Sequence, residues 1–197
     1  MESSNQLQPR WDGLLSTFRM SLQQDPSSEL RVDLEDVIAA TWPSVRRFVI
    51  QLERASFPPS IRDSELDLDR IASSATSVFI AAYGHNFERE LLGYVCGDRL
   101  SHFGAVPGAR DDASRYSSSS FYISSVAVDR RVQGRGIGMA LQRTGIQRAQ
   151  QKGYRRITAH MRTHGWMKVS PHARALQSFR NWYGTGEQYD YVLLAGH

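Results

Sequence analysis

A chain of 197 residues, 41% hydrophobic and 22% charged, is long enough for one globular domain with a substantial core. No apolar run reaches membrane-spanning length and the polar start MESSNQLQPR has no secretory apolar segment, so a cytoplasmic protein with no membrane partner is expected. The net charge of +4 does not signal nucleic acid, because the arginines are scattered, the only lysines are Lys152 and Lys168, and no basic run is interleaved with aromatics.

Trp11, Leu14, Leu15, Phe18 and Leu22 recur at helical spacing behind Asp12. Residues 1–34 are therefore read as an N-terminal helical extension that docks on the domain or on a second copy of the chain, as in a homodimer. The domain proper spans residues 35–197. A short strand is expected near Val37 to Thr41, after which Thr41 caps a helix with Pro43 in its first turn. Val45, Phe48, Val49 and Leu52 line the inner face of that helix, and Phe57-Pro58-Pro59 breaks it. A second helix is expected from about Asp63 to Ser73. Two strands follow, Ser77 to Ala82 and Leu91 to Gly97, around Gly84-His85-Asn86. The lone cysteine, Cys96, lies in the apolar GYVCG run and reads as a buried structural thiol. Residues 102–119 form a polar loop. Strands are then expected at Phe121 to Val128, at Arg156 to Met161 and, as a closing pair, around Trp182 and Tyr189 to Leu194. Helices are expected from Gly136 to about Gln151, closed by Lys152-Gly153, and around His172 to Phe179.

The most specific feature is the junction after Phe121–Val128. The apolar strand stops at Asp129-Arg130-Arg131, three glycines follow at alternate positions, Gly134, Gly136 and Gly138, and a helical pattern starts at once. Glycine lets backbone approach closely, several N–H groups converge, and the helix dipole favours negative charge. Arg130, Arg131 and Arg135 surround the spot, so the expected ligand is a phosphate ester. A triphosphate loop would end in Gly-Lys-Ser/Thr, which is absent. A dinucleotide fingerprint would carry a third glycine where Met139 stands and an acidic residue about twenty positions on, and it has neither. The alternative is a glycine turn that only packs a helix on a sheet. His164 and His172 share no helix with His160 and gain no cysteine or carboxylate, so no metal site is expected.

Gln133-Gly134-Arg135-Gly136-Ile137-Gly138 resembles the Q/R-x-x-G-x-G/A acetyl-coenzyme-A motif of the GNAT superfamily of N-acetyltransferases, and YISSVAVDRR before it resembles that family's fourth strand. The resemblance runs from about Val37 to Leu194. It implies an α/β fold with a central mixed, largely antiparallel sheet flanked by helices. It also implies acetyl-coenzyme A as cofactor, held by Val126, Ala127, Val128, Arg131, Gln133, Gly134, Arg135, Gly136, Ile137, Gly138 and Met139. In that fold the motif strand and the next strand splay apart and the thioester enters the gap.

Acetyl transfer to an amine needs a base for the ammonium, a donor for the oxyanion and a proton for the leaving thiolate. On the two strands Tyr122 and His160 are the titratable candidates. The pair resembles the Tyr/His pair of certain eukaryotic N-terminal amine acetyltransferases, while a Glu occupies the His160 position in bacterial ribosomal-protein N-terminal acetyltransferases. His160 is read as the base, since imidazole titrates at about 6.5, with Tyr122 assisting and the Val126 N–H as oxyanion donor. A packing role remains the alternative for both rings. The family's N-x-x-A…Tyr pattern is missing: Thr163-His164-Gly165-Trp166 follows the strand and Phe179 stands where the acid tyrosine is expected, leaving Tyr183 or solvent as acid.

For the acceptor, Phe57-Pro58-Pro59 and the Trp182, Tyr183 and Glu187 segment resemble the two walls of the peptide channel in N-terminal acetyltransferases. A helix stop and a hairpin turn would explain the same residues. Three readings follow: acetylation of a protein or peptide amine, which is favoured; acetylation of a small-molecule amine; or a coenzyme-A-binding regulatory module without turnover.

Overall fold

The computed structural model describes residues 16–19, 30–84, 89–163 and 165–196. Its centre is a mixed sheet of strands β1 (Ser16–Arg19), β2 (Arg31–Asp36), β3 (Val78–Gly84), β4 (Glu90–Arg99), β5 (Ser120–Val128), β6 (Arg156–Arg162), β7 (Arg174–Phe179) and β8 (Tyr189–Ala195), in spatial order β1-β2-β3-β4-β5-β6-β8-β7. Every neighbouring pair is antiparallel except β5 and β6. A parallel pair needs a crossover, and helix α3 (Ile137–Gln151) supplies it. Helices α1 (Trp42–Ser56) and α2 (Glu65–Ser73) cover the other face. This is the expected α/β architecture. No helix among the described residues is long and apolar enough to cross a membrane.

Each face has its own core. Ile137, Leu141 and Ala149 of α3 pack on Ile80, Val95, Phe121 and Ile123. Trp42, Val49 and Ile50 of α1 and Leu68 and Ile71 of α2 pack on Phe79, Tyr94, Cys96 and Tyr122. The Trp42 indole and the Arg46 guanidinium both donate to Asp69, at 2.9 and 2.7 Å, which ties α1 to α2.

The alternation of β5 changes phase midway. Phe121 and Ile123 face the α3 core and Tyr122 faces α1 and α2, yet farther on Val126 and Val128 face α3 and Ala127 faces α1 and α2. The cause is one extra residue. Cys96 pairs with Ser125 and Gly97 with Ile123, so Ser124 is bulged out of the ladder. A bulge bends its strand and sharpens the twist. Past it the parallel pairing with β6 stops: Ser120 to Ile123 pair with Arg156 to Ala159, and residues 124–128 have no partner on that side. The bulge thus opens the gap expected between the two strands. Cys96 is buried in this region as a free thiol.

Several sequence expectations are corrected. Within the helical extension, Ser16–Arg19 is a strand on the edge of β2; Trp11, Leu14, Leu15 and Leu22 lie outside the described residues. Strand β2 also runs across the expected boundary after residue 34. Val37 to Thr41 is a turn rather than a strand, and Thr41 Oγ1 accepts from the Ile38 N–H at 3.0 Å instead of capping the helix. The inner face of α1 is rotated from the expected one: Phe48 is 54% exposed and Glu53 is buried. Residues His172 to Phe179 form no helix. Arg174–Phe179 is strand β7, which satisfies the outer edge of β8 and overrides the local propensity of Ala-Leu-Gln. Trp182–Gly184 is a 3-10 turn rather than a strand.

Glycine at 97 is required by the bulge. A Cβ there would overlap the Tyr122 carbonyl oxygen and lie 2.9 Å from Ile123 Cα, both backbone atoms with little freedom to yield. Gly97→Ala is therefore expected to lower stability by about 1–3 kcal/mol. Gly153→Ala, with φ +91° but open space around its Cβ, should cost about 1–2 kcal/mol from conformation alone. Urea denaturation checks both, and the Gly97 variant should also perturb the gap between β5 and β6.

Candidate active site

The glycine loop folds as its sequence suggests. Gly134 and Gly136 adopt left-handed conformations, φ +76° and +82°, closed to L side chains without strain. Gly136 is the N-cap of α3, where no side chain caps the helix and the first turn holds no acidic residue. The unsatisfied N–H groups of that turn are therefore free to face an anion. Gln133 turns inward and donates to the Val128 carbonyl at 2.9 Å, closing the loop onto the strand end. Arg131 is otherwise engaged, since it pairs with Asp129 at 2.6 Å and Glu90 at 2.5 Å. Among the described residues Arg130 and Arg135 have no ion-pair partner.

Between β5 and β6 lies a cavity of about 560 Å³. One end is lined by Val126, Ala127, Val128, Gln133, Gly138 and Met139, at the glycine loop. The other is lined by Phe57, Pro58, Asp63, Tyr122, His160, Trp182 and Tyr183. The donor set suits a phosphate ester whose chain runs along the unpaired edge of β5, where alternate backbone groups face the gap. The residues present therefore fit coenzyme A.

His160 and Tyr122 meet as expected: the Tyr122 hydroxyl lies 2.8 Å from His160 Nδ1. The imidazole is packed between Trp182 and Tyr191, with ring centroids at 4.2 and 5.0 Å. Phe179 stands at 5.5 Å. Nε2 is buried without a close hydrogen bond, in a ring environment that includes the Pro107 backbone and Gly108. Burial pushes the imidazole down to about 3, so His160 is neutral at ordinary pH. The expected base is thus on the cavity wall but with little affinity for a proton. Burial likewise holds Tyr122 well above the usual phenol range.

Sequence reasoning missed a carboxyl pair beside this ring system. Glu53, on the inward face of α1, accepts from Tyr94, from Ser125 at 3.0 Å and from the Asp63 N–H at 2.7 Å. Asp63, in the turn before α2, lines the cavity, and its Oδ2 is buried without a close hydrogen bond. Desolvation first and the Glu53 charge second raise Asp63 to about 7, while Ser124 and Arg70 pull the other way. Desolvation also raises Glu53. Nothing local marks either residue: Glu53 sits in the ordinary run Leu-Glu-Arg, and Asp63 looks like a helix-start residue.

Of the expected acceptor residues, Phe57 and Pro58 face Trp182 and Tyr183 across the cavity. Pro59 and Glu187 are exposed and are not among its lining residues. Glu187 acts through its backbone, its carbonyl accepting from the Trp182 N–H at 3.0 Å. Tyr183 is the only non-glycine residue with positive φ among the described residues, at +46°, and its ring packs edge-on against Trp182 at 4.6 Å. Phe179 carries no proton to give. His172 is exposed and apart from the cavity, and His164 lies outside the described residues.

The model of the Acetyltransferase (GNAT) family matches residues 46–167, more than half of the sequence, so the chain belongs to this family. The fold expected from the glycine motif and the expected cofactor, acetyl-coenzyme A, are both borne out at the level of the family. The structure is similar to that of Arabidopsis thaliana NAA60 in complex with acetyl-CoA, with a TM-score of 0.59 and 20% identity over 82% of this chain and 96% of that one. It is also similar to the ribosomal-protein-S18-alanine N-acetyltransferase from Escherichia coli, with a TM-score of 0.56 and 12% identity over 82% of this chain and 91% of that one. A third is the IAA acetyltransferase from Bacillus cereus, with a TM-score of 0.55 and 13% identity over 83% of this chain and 99% of that one. At these identities the likeness is one of fold. No curated protein sequence matches significantly.

The raised carboxyl has a consequence for stability. Asp63 holds its proton in the folded chain up to about pH 7, whereas the unfolded chain releases it near 3.8. Between those values the folded state binds the extra proton, so this group's contribution is full below about 3.8 and is lost as pH rises to about 7. The span bounds the effect at about 4 kcal/mol. Asp63→Asn should abolish it: relative to wild type, the variant should gain stability between pH 4 and pH 7, as read by thermal denaturation across that range.

Proposed function

We propose that this protein is an N-acetyltransferase that moves an acetyl group from acetyl-coenzyme A to a primary amine, most favourably that of a peptide. The observation carrying this reading is the single cavity that joins the glycine loop to an aromatic mouth through the gap opened at Ser124. When bound, acetyl-coenzyme A supplies an acetyl carbon activated as a thioester. The N–H groups of Gly134, Gly136 and Gly138 would hold its pyrophosphate, with Arg135 adding charge and Arg131 fixing the loop through Asp129. Val126, Ala127 and Val128 offer the unpaired strand edge to the pantetheine arm, and the Val126 N–H is the oxyanion donor. Ile137 anchors the helix in the core and Met139 closes the slot beside Gly138.

Tyr183 is assigned as proton donor to the leaving thiolate. It lines the cavity, and burial raises its phenol, so it stays protonated at neutral pH. Tyr122 and His160 form a rigid neutral wall beside the acceptor. A peptide suits the mouth because Pro58 and Pro59 leave the Phe57 loop little freedom to lose, and Trp182 and Tyr183 offer flat apolar surface with polar edges. A polyamine would want several carboxylates, and Asp63 is the only carboxyl among the lining residues. A second reading, a coenzyme-A-binding module without turnover, is favoured by Phe179 standing in place of a tyrosine.

Initial rates with short peptides bearing free α-amines, lysine peptides, polyamines and amino sugars decide the acceptor. Peptides should lead, and a clear preference for a polyamine or an amino sugar would replace the peptide reading. Coenzyme A bound with no turnover on any amine would favour the second reading. Gly136→Val should abolish coenzyme binding in calorimetry, because valine is strained at φ +82° and blocks the N-cap. Unchanged affinity in that variant, with circular dichroism confirming the fold, would remove the loop assignment.

A further inference from the structure

We propose that Asp63 is the catalytic base: its carboxylate takes the proton from the acceptor ammonium at the inner end of the cavity, with Glu53 behind it. The inference rests on the acetyltransferase reading and names a group in the same site.

The first argument is placement. Asp63 lines the cavity beside Tyr122 and Ser124, where the bulge turns β5 away from β6. Its position is fixed from behind, since its N–H donates to Glu53 Oε1 at 2.7 Å and Glu53 is itself held by Tyr94 and Ser125. The second argument is valence. The Glu53 oxygens are taken up by Tyr94, Ser125 and the Asp63 N–H, whereas the Asp63 carboxyl has Ser124 beside it and its Oδ2 is buried without a close hydrogen bond. Buried carboxyl oxygens are rarely left so, and an ammonium entering the cavity is the partner this one lacks.

His160 also lines the cavity and its Nε2 is likewise buried, so its surroundings and its basicity set it aside. Its Nδ1 lies 2.8 Å from the Tyr122 hydroxyl and its backbone neighbours are Pro107 and Gly108. Its conjugate acid is too strong to hold a proton near neutral pH. The groups that set the basicity of Asp63 besides burial are Glu53 on α1, Asp67 and Arg70 on α2, and Ser124 on β5; Tyr122 and Cys96 are neighbours raised by burial first and by its charge second. The balance places Asp63 near the operating pH, where a base is most effective.

An acceptor R–NH₃⁺ gives one proton to the Asp63 carboxylate. The freed lone pair forms the C–N bond to the acetyl carbon, and the carbonyl π electrons move to oxygen. Collapse breaks the C–S bond, and the nitrogen's second excess proton leaves with the departing thiolate, through Tyr183. Asp63 then returns its proton to solvent.

The test compares wild type, Asp63→Asn and His160→Gln with acetyl-coenzyme A and a short peptide bearing a free α-amine, across about pH 5 to 9 to bracket the group. The acceptor's own titration is common to all three. In wild type and His160→Gln, kcat should rise along a limb centred near 7. In Asp63→Asn that limb should vanish and kcat should fall roughly 10²-fold or more, with coenzyme affinity unchanged in calorimetry. Retention of the rate and the limb by Asp63→Asn, or loss of the limb in His160→Gln alone, would overturn the assignment to Asp63. A wild type that binds coenzyme but acetylates no amine would overturn the acetyltransferase reading itself.

Discussion

One residue of excess length in β5 governs the site. Two strands locked along their whole length would leave no room for a ligand, because their backbone groups would be spent on each other. The bulge at Ser124 ends the β5–β6 pairing after Ile123 and leaves the rest of the edge facing a gap. It also inverts the side-chain phase, so Tyr122 and Ala127 both face α1 and α2 although an even number of residues lies between them. Without that inversion Ser125 would not reach Glu53, and Val126 would point away from the α3 core. Gly97 is the condition for it, since any side chain there meets the backbone of β5.

Desolvation then acts in opposite directions on two neighbouring groups. Burial penalises whichever form is charged, so it lowers an imidazole and raises a carboxyl. His160, sandwiched between Trp182 and Tyr191, is driven to the neutral side, while Asp63, next to the second carboxyl of Glu53, is brought to about 7. The aromatic ring system that makes His160 look like an active-site residue is what deprives it of basicity. The same apolar surroundings turn an ordinary aspartate into a group that titrates in the neutral range.

The wall holding these rings is tied down from outside the cavity. Asp112 accepts from Arg156 at 2.7 Å and from the Tyr191 hydroxyl at 2.8 Å, and that hydroxyl lies 3.1 Å from Thr158 Oγ1. These bonds fasten the loop before β5 onto β6 and β8. They press Gly108 against His160 and Tyr191, where a Cβ would come within 3.3 Å of the imidazole. A site that must hold its acceptor and donor groups in register gains from such support.

The sequence by itself determined the features that depend on neighbours along the chain. The apolar run before Asp129, the glycines at 134 and 136 and the helix that follows are short-range patterns, and they define the glycine loop and the β5–α3–β6 crossover. Tyr122 and His160 could be paired because they lie on neighbouring strands, although the register sets Tyr122 opposite Thr158 and His160 two residues farther along. The register of β5, the strand character of Arg174–Phe179 and the inward turn of Glu53 were decided only by tertiary structure. A bulge is a relation between two strands, an edge strand forms to satisfy a partner far away in the chain, and the rotation of α1 is set by what it packs on. Basicity belongs to this second group as well. Asp63 and His160 carry ordinary side chains, and it is the surroundings assembled from α1, α2, β5, β6 and β8 that raise the one and lower the other.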